Sequence, residues 1–142
     1  MKNTDDVKRY YEQHLAELPE GVLQAVGKIL ARHRGAEHQI SRRLLVELAA
    51  VALNTPLRGS KQVANYDRKV RRAIEVLRGR GWLIGNWQGE GYFLIETSEE
   101  YDQFREIYTS RAFKLLKTTR RMDDQAERLF GAAGARQLAL ME

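Results

Sequence analysis

The sequence predicts a mainly α fold with a small β-hairpin, in the α+β class, extended by helices at both ends. Apolar residues recur at intervals of three and four through most of the chain, which is typical of helices. This helical spacing is interrupted after residue 81. Two runs of aromatic and β-branched residues follow there, joined by a loop that contains glycine. The 142 residues, 43% of them hydrophobic, suffice for one modest core.

Three helices and a short strand are predicted in the first part of the chain. The first two helices cover residues 4–17 and 20–33, and residues 39–40 are a candidate strand. Ser41 is placed to cap a third helix, which reaches about residue 53. Its spacing predicts an inward face made of Leu44, Leu45, Leu48 and Val51.

A basic helix and the hairpin follow. Residues 57–63 are interpreted as a loop or single turn that leads into a helix over residues 65–78. The apolar stripe of that helix is predicted to be Val70, Ala73, Ile74 and Leu77. Residues 82–87 and 92–96 then form the strands of a β-hairpin, with Gln88-Gly89-Glu90-Gly91 at the turn.

The last part of the chain is predicted to be a long helix. Thr97 to Glu100 form a capping sequence, and an apolar stripe follows at helical spacing: Tyr101, Phe104, Tyr108, Ala112 and Leu115. The stripe either packs on the domain's own core, the interpretation favoured here because Arg111 interrupts a strict heptad, or forms the seam of a homodimer through the C-terminal helix. Residues 123–129 are predicted as a restarted helix, and residues 135–142 as a further one.

The order helix, short strand, helix, helix, hairpin is the connectivity of a winged helix-turn-helix. It predicts three parts: an N-terminal helical extension (1–19), a winged helix-turn-helix domain (20–97) and a C-terminal helical extension (98–142). In this arrangement the helix before the hairpin reads double-stranded DNA and the hairpin is the wing.

Positive charge is concentrated on that helix. The net charge of the chain is +5, and residues 58–80 carry eight basic and two acidic side chains. On a helical wheel Arg68 and Arg72 lie opposite the apolar stripe, so they are assigned to base reading. Phosphate contacts are assigned to Ser60, Lys61, Lys69 and Arg71, and contacts with a base edge or a phosphate to Asn65 and Tyr66.

The wing tip carries Trp87 and Gln88 as candidate DNA contacts, although Glu90 would repel a phosphate. Trp87 either stacks or enters the minor groove, or folds back onto the sheet. Trp82, which follows Gly81, is predicted to be a core residue.

The sequence lacks the residues and motifs that other classes of function require. The chain has no cysteine, no glycine-rich phosphate loop and no metal-spaced histidine cluster, since His33 and His38 lie five apart across Gly35. We therefore expect no enzymatic activity, cofactor, metal or small-molecule substrate. No apolar run could span a bilayer and no signal peptide is evident, so the expected location is the cytoplasm, with the nucleoid when DNA is bound.

Two segments resemble a known group. Residues 66–82, which begin Tyr66-Asp67-Arg68-Lys69, and residues 91–97 (Gly91-Tyr92-Phe93-Leu94-Ile95-Glu96-Thr97) resemble the recognition helix and wing of small winged-helix proteins of phages and prophages. The resemblance covers about residues 20–120. It implies DNA binding in transcription regulation or replication of a phage or mobile element. The alternative is a winged-helix module that binds a protein partner without binding DNA.

Overall fold

The computed structural model describes residues 4–86 and 91–131, which form helices and a small antiparallel sheet, as expected for the α+β class. The elements, in chain order, are α1 (Thr4–Ala16), α2 (Val22–Leu30), a 3₁₀ turn (Ala36–His38), β1 (Ile40–Ser41), α3 (Arg42–Ala52), α4 (Ser60–Gly79), β2 (Ile84–Asn86), β3 (Gly91–Leu94) and α5 (Ser98–Phe130).

The sheet confirms a strand in each of the two predicted hairpin segments and a short strand at residue 40, with bounds that differ from the predicted ones, whereas residues 88–90 of the predicted turn lie outside the described residues. Its strand order is β1-β3-β2, with both pairs antiparallel. Ile40 lies opposite Tyr92, and Ile84 lies opposite Leu94. Gly91 is required by the close approach of β1, since a Cβ atom there would lie 2.5 Å from the carbonyl oxygen of Ile40.

One core joins the helices to the sheet. The fully buried side chains come from α2, β1, α3, α4, the hairpin strands and Trp82, which precedes β2. Trp82 is the largest of them and is a core residue as predicted. The α4 stripe of Val70, Ala73, Ile74 and Leu77 is buried in it. Helix α1 adds Tyr11 to the same core, and Leu18, just after the end of α1, also packs there.

Helix α3 is rotated from its predicted orientation. Ser41 caps it as predicted, since its hydroxyl accepts a hydrogen bond from the Leu44 N–H at 3.1 Å. The buried residues, however, are Leu45, Val46, Ala49 and Ala50, whereas Leu44, Leu48 and Val51 are exposed. Both sets have helical spacing, so the period alone does not choose between them. Burial of two alanines lets α3 pack closely on its neighbours, and a stripe of bulkier side chains would not.

Helix α4 begins earlier than predicted. Residues 60–63, interpreted as part of a loop, form its first turn. Gly59 precedes it with a φ of 91°, and the Arg58 N–H donates to the Gln62 side-chain oxygen at 2.5 Å. This bond satisfies a backbone N–H group just before the helix. The helix can therefore begin at Ser60, directly after Gly59, and the loop is shorter than predicted.

Helix α5 begins with the predicted capping box. The Glu100 N–H donates to the Thr97 hydroxyl at 3.1 Å, and the Glu100 carboxylate accepts from the Thr97 N–H at 3.3 Å. The helix then continues to Phe130, so the predicted restart at 123–129 is wrong: the paired aspartates lie within an unbroken helix. The predicted helix over 135–142 lies outside the described residues.

The chain divides into two compact units, Met1–Phe104 and Arg105–Glu142. Helix α1 belongs to the first unit together with the sheet and α2 to α4. The finer boundaries at 19/20 and 97/98 remain predictions. Among the residues that the structure describes, no helix is long and apolar enough to cross a membrane.

Tyr11 links α1 to the sheet. Its hydroxyl donates to the carbonyl oxygen of Ile95 at 2.7 Å and lies 3.2 Å from that of Leu83. Burial is the main cause that raises the pKa of this phenol above its ordinary value of 10.0, and the neighbouring Tyr10 and Glu100 add to it. The folded protein therefore favours the protonated hydroxyl.

A pair of leucine variants tests the orientation of α3. Leu45→Ala is expected to lower the free energy of unfolding by about 2–5 kcal/mol, because it leaves a cavity in the core. Leu44→Ala is expected to cost less than about 1 kcal/mol, because that side chain is exposed. Urea unfolding followed by circular dichroism measures both, and an equal or larger loss for Leu44→Ala would contradict the observed orientation.

Tyr11→Phe is expected to lower the free energy of unfolding by about 1 kcal/mol at neutral pH, because the Ile95 carbonyl oxygen loses its donor. The pKa of the Tyr11 phenol is higher in the folded protein than in the unfolded one, where it is near 10. The contribution of Tyr11 to the free energy of unfolding is therefore complete below about pH 10 and is lost as the pH rises above that value. The difference in the free energy of unfolding between wild type and Tyr11→Phe should therefore become smaller between about pH 10 and pH 11. Urea titrations across this range measure it, and a constant difference would contradict the assignment.

Candidate nucleic-acid interface

The two faces of α4 carry opposite chemistry. One face is buried, and its residues are Tyr66, Val70, Ala73, Ile74 and Leu77. The other face is exposed, and its basic residues are Lys61, Arg68, Lys69, Arg71 and Arg72. Because α4 is a continuous helix, burial of the first set orients the second set towards solvent. The structure therefore brings these predicted side chains together on one surface.

Tyr66 was predicted as a DNA contact, and this is wrong. Its side chain is only 5% exposed, and its hydroxyl lies 3.5 Å from the carbonyl oxygen of Ala49 on α3. Tyr66 is thus a core residue that joins the two helices. On the outside, the Lys69 ammonium lies 5.9 Å from the centre of its ring.

Asp67 connects the basic face of α4 to the start of α3. Its two carboxylate oxygens pair with Arg42 Nε at 3.1 Å and with Arg71 Nε at 3.0 Å. Asp67 is half-buried, so it holds both guanidinium groups at the edge between the helices. It also offsets part of their charge.

A groove between α3 and α4 extends this surface. Its volume is about 850 Å³, and its polar lining residues are Ser41, Arg42, Arg43, Glu47, Ser60, Asp67, Arg68 and Arg71, of which four are basic and two acidic. The N-terminus of α3 opens onto it, and the positive end of the helix dipole adds to the arginines there. A polyanion that follows the groove would contact both helices.

Arg42 and Arg43 were missed as candidates in the sequence. The net charge of residues 1–57 is only +1, so the charge count along the sequence does not indicate these two arginines. Arg43 also pairs with Glu47 on the same helix, at 3.3 Å. The position of the two arginines directly after the capping Ser41 is the signal that would have indicated them, since a helix N-terminus followed by arginine is an anion-binding arrangement.

Four basic side chains of α4 have no acidic partner in the described part of the chain: Lys61, Arg68, Lys69 and Arg72. Ser60 and Asn65 are exposed near the same end of the helix. The charge that is available to a ligand is therefore concentrated on the exposed side of the first four turns of α4.

Arg78 has a structural role. Its Nε donates to the carbonyl oxygen of Ile84 at 3.0 Å, its Nη1 lies 3.1 Å from Glu75, and its guanidinium group lies 5.0 Å from the centre of the Phe104 ring. These contacts attach strand β2 to the end of α4. The position of the hairpin relative to the basic face therefore depends on this residue.

The predicted wing contacts Trp87 and Gln88 lie outside the described residues, so their assignments remain predictions. The two histidines that were considered for metal binding make a local contact instead, with His33 Nδ1 2.8 Å from the carbonyl oxygen of His38. Within residues 4–86 and 91–131 no group of three or more metal-ligating side chains is found.

Models of protein families, curated proteins and solved structures were compared with this chain, and none of them matches it.

Proposed function

We propose that the chain is a winged helix-turn-helix protein that binds double-stranded DNA sequence-specifically, in transcription regulation or replication of a phage or mobile element. The observation that carries the proposal is the exposed face of α4, where Lys61, Arg68, Lys69 and Arg72 lie opposite the core and have no acidic partner among the residues that the structure describes. The order α2, β1, α3, α4, β2, β3 supports the winged-helix interpretation.

Base reading is assigned to Arg68 and Arg72. The major groove of B-DNA admits one α-helix, and a guanidinium group binds two acceptors on a guanine edge. The two arginines are four residues apart, which is about 6 Å along the helix axis. This distance is close to two base-pair steps, so each arginine would contact a different base pair.

Phosphate binding is assigned to the edges of the same surface. Ser60 and Lys61 lie at the N-terminus of α4, and Lys69 lies one turn after Asn65. Arg42 and Arg71 pair with Asp67 through Nε, and about half of each side chain, 51% and 52%, is exposed. Both guanidinium groups are therefore accessible to a phosphate that lies in the groove between α3 and α4. Asp67 is therefore a positioning residue in this proposal.

The double variant Arg68→Ala/Arg72→Ala is expected to weaken binding to a preferred duplex by about 1–3 kcal/mol per arginine and to relax sequence preference. Its stability should stay near that of wild type, because both side chains are exposed. The matched control is Arg9→Ala/Lys28→Ala, which removes two exposed positive charges from α1 and α2. Fluorescence anisotropy measures both affinities, and equal losses in the two variants would contradict the assignment.

Lys69→Ala is expected to lower affinity for all duplexes alike. Because this residue is assigned to a phosphate, the slope of log affinity against log salt should fall in magnitude by about 0.9. Anisotropy titrations at several salt concentrations, on one preferred and one unrelated duplex, measure this change. A loss confined to the preferred duplex would instead place Lys69 on a base.

Selection of bound sequences from a random duplex library tests the proposal as a whole. Enrichment of a consensus would support sequence-specific DNA binding. The absence of enrichment would overturn it and favour the alternative, in which the basic face binds an acidic protein partner.

A further inference from the structure

The second unit contains a long exposed helix with an apolar side. Over residues 105–130 of α5 no side chain is buried. Leu115 is 71% and Leu129 is 75% exposed, and Met122 is similarly open. A helix whose apolar side chains meet water over several turns needs a partner for that side.

The apolar side has a regular pattern, which we call the seam. It consists of Tyr108, Ala112, Leu115, Thr119, Met122, Ala126 and Leu129, separated by alternating intervals of four and three residues. This is a heptad repeat in which large residues occupy every d position and small residues every a position. Arg111 interrupts a heptad that is counted from Tyr101, which was the reason to favour packing on the domain's own core. In the seam, which begins at Tyr108, Arg111 lies directly before Ala112 and does not interrupt the repeat.

We propose that the seam binds the seam of a second copy of this chain, in an antiparallel two-stranded coiled coil. The proposal concerns only residues 108–129 and does not depend on DNA binding.

The sizes of the seam residues favour the antiparallel arrangement. Antiparallel pairing places Ala112 opposite the partner's Leu129, Leu115 opposite the partner's Ala126, and Thr119 opposite the partner's Met122. Each layer of the seam then combines one large and one small side chain, which fills the space between the helices evenly. Parallel pairing would place alanine opposite alanine and leave cavities, which are unfavourable.

The charge distribution favours the same arrangement. Residues 105–121 carry six basic side chains and one acidic side chain, a net charge of +5, whereas residues 122–131 carry three acidic and one basic, a net charge of −2. Antiparallel pairing places the basic part of each helix beside the acidic part of its partner. Parallel pairing would place the two basic parts side by side, where they repel each other.

The first test is the mass of the full-length chain in solution, measured by analytical ultracentrifugation. The wild-type chain is expected to be a dimer, and Leu115→Glu, which places a charge in the seam, is expected to be a monomer. Phe113→Glu is the matched control, because Phe113 is comparably exposed, at 64%, but lies outside the seam. Both substitutions are at exposed positions, and circular dichroism checks that the helix is retained. A monomeric wild type, or an equal effect of the two variants, would overturn the proposal.

The second test determines the direction of pairing, and the absence of cysteine from the chain makes it simple. Ala112→Cys and Leu129→Cys are prepared as separate chains. In the antiparallel dimer, like positions lie about 25 Å apart along the axis, which is too far for a disulfide. Covalent dimers are therefore expected only when the two variants are mixed under oxidising conditions. Covalent dimers in each variant alone would indicate parallel pairing and overturn the proposed arrangement.

Discussion

The arrangement of the first unit depends on one constraint, which is that α4 buries a single face. Val70, Ile74 and Leu77 pack in the core from three successive turns, so α4 cannot rotate without exposing them. The same constraint orients Arg68 and Arg72 towards solvent. Core packing and the presentation of positive charge are therefore two consequences of one amphipathic helix.

Polar contacts then position the other elements around α4. One oxygen of Glu100 accepts from the backbone N–H groups of Glu96 and Thr97 at 2.9 and 3.3 Å, and the other accepts from the Ala36 N–H at 2.6 Å. The beginning of α5, the end of the sheet and the 3₁₀ turn are thus held by one carboxylate. Arg78 similarly attaches β2 to α4. These contacts determine where the hairpin lies beside the basic face.

The orientation of α3 connects stability to the candidate site. Burial of Ala49 and Ala50 packs α3 against the core, and the first turn of α3 then borders the groove beside α4. Asp67 on α4 pairs with Arg42 on α3 and with Arg71 on α4. The candidate interface is consequently a surface of two helices, although the charge count along the sequence indicates only one.

Most of the elements could be predicted from the sequence. The stripe of α4, the cap at Ser41, the capping box at Thr97 and the hairpin all depend on residues within a few positions of each other, and such local interactions leave a readable pattern. The predicted basic face of α4 has the same origin, because a helix with one apolar side must expose the residues opposite.

Only the tertiary structure decided which of two apolar faces α3 buries, that Tyr66 belongs to the core, and that Arg42 and Arg71 share Asp67. Each of these depends on the approach of a second element, which local periodicity does not encode. The same is true of α5. Its heptad spacing is present in the sequence, but only the structure shows that Leu115 and Leu129 are exposed.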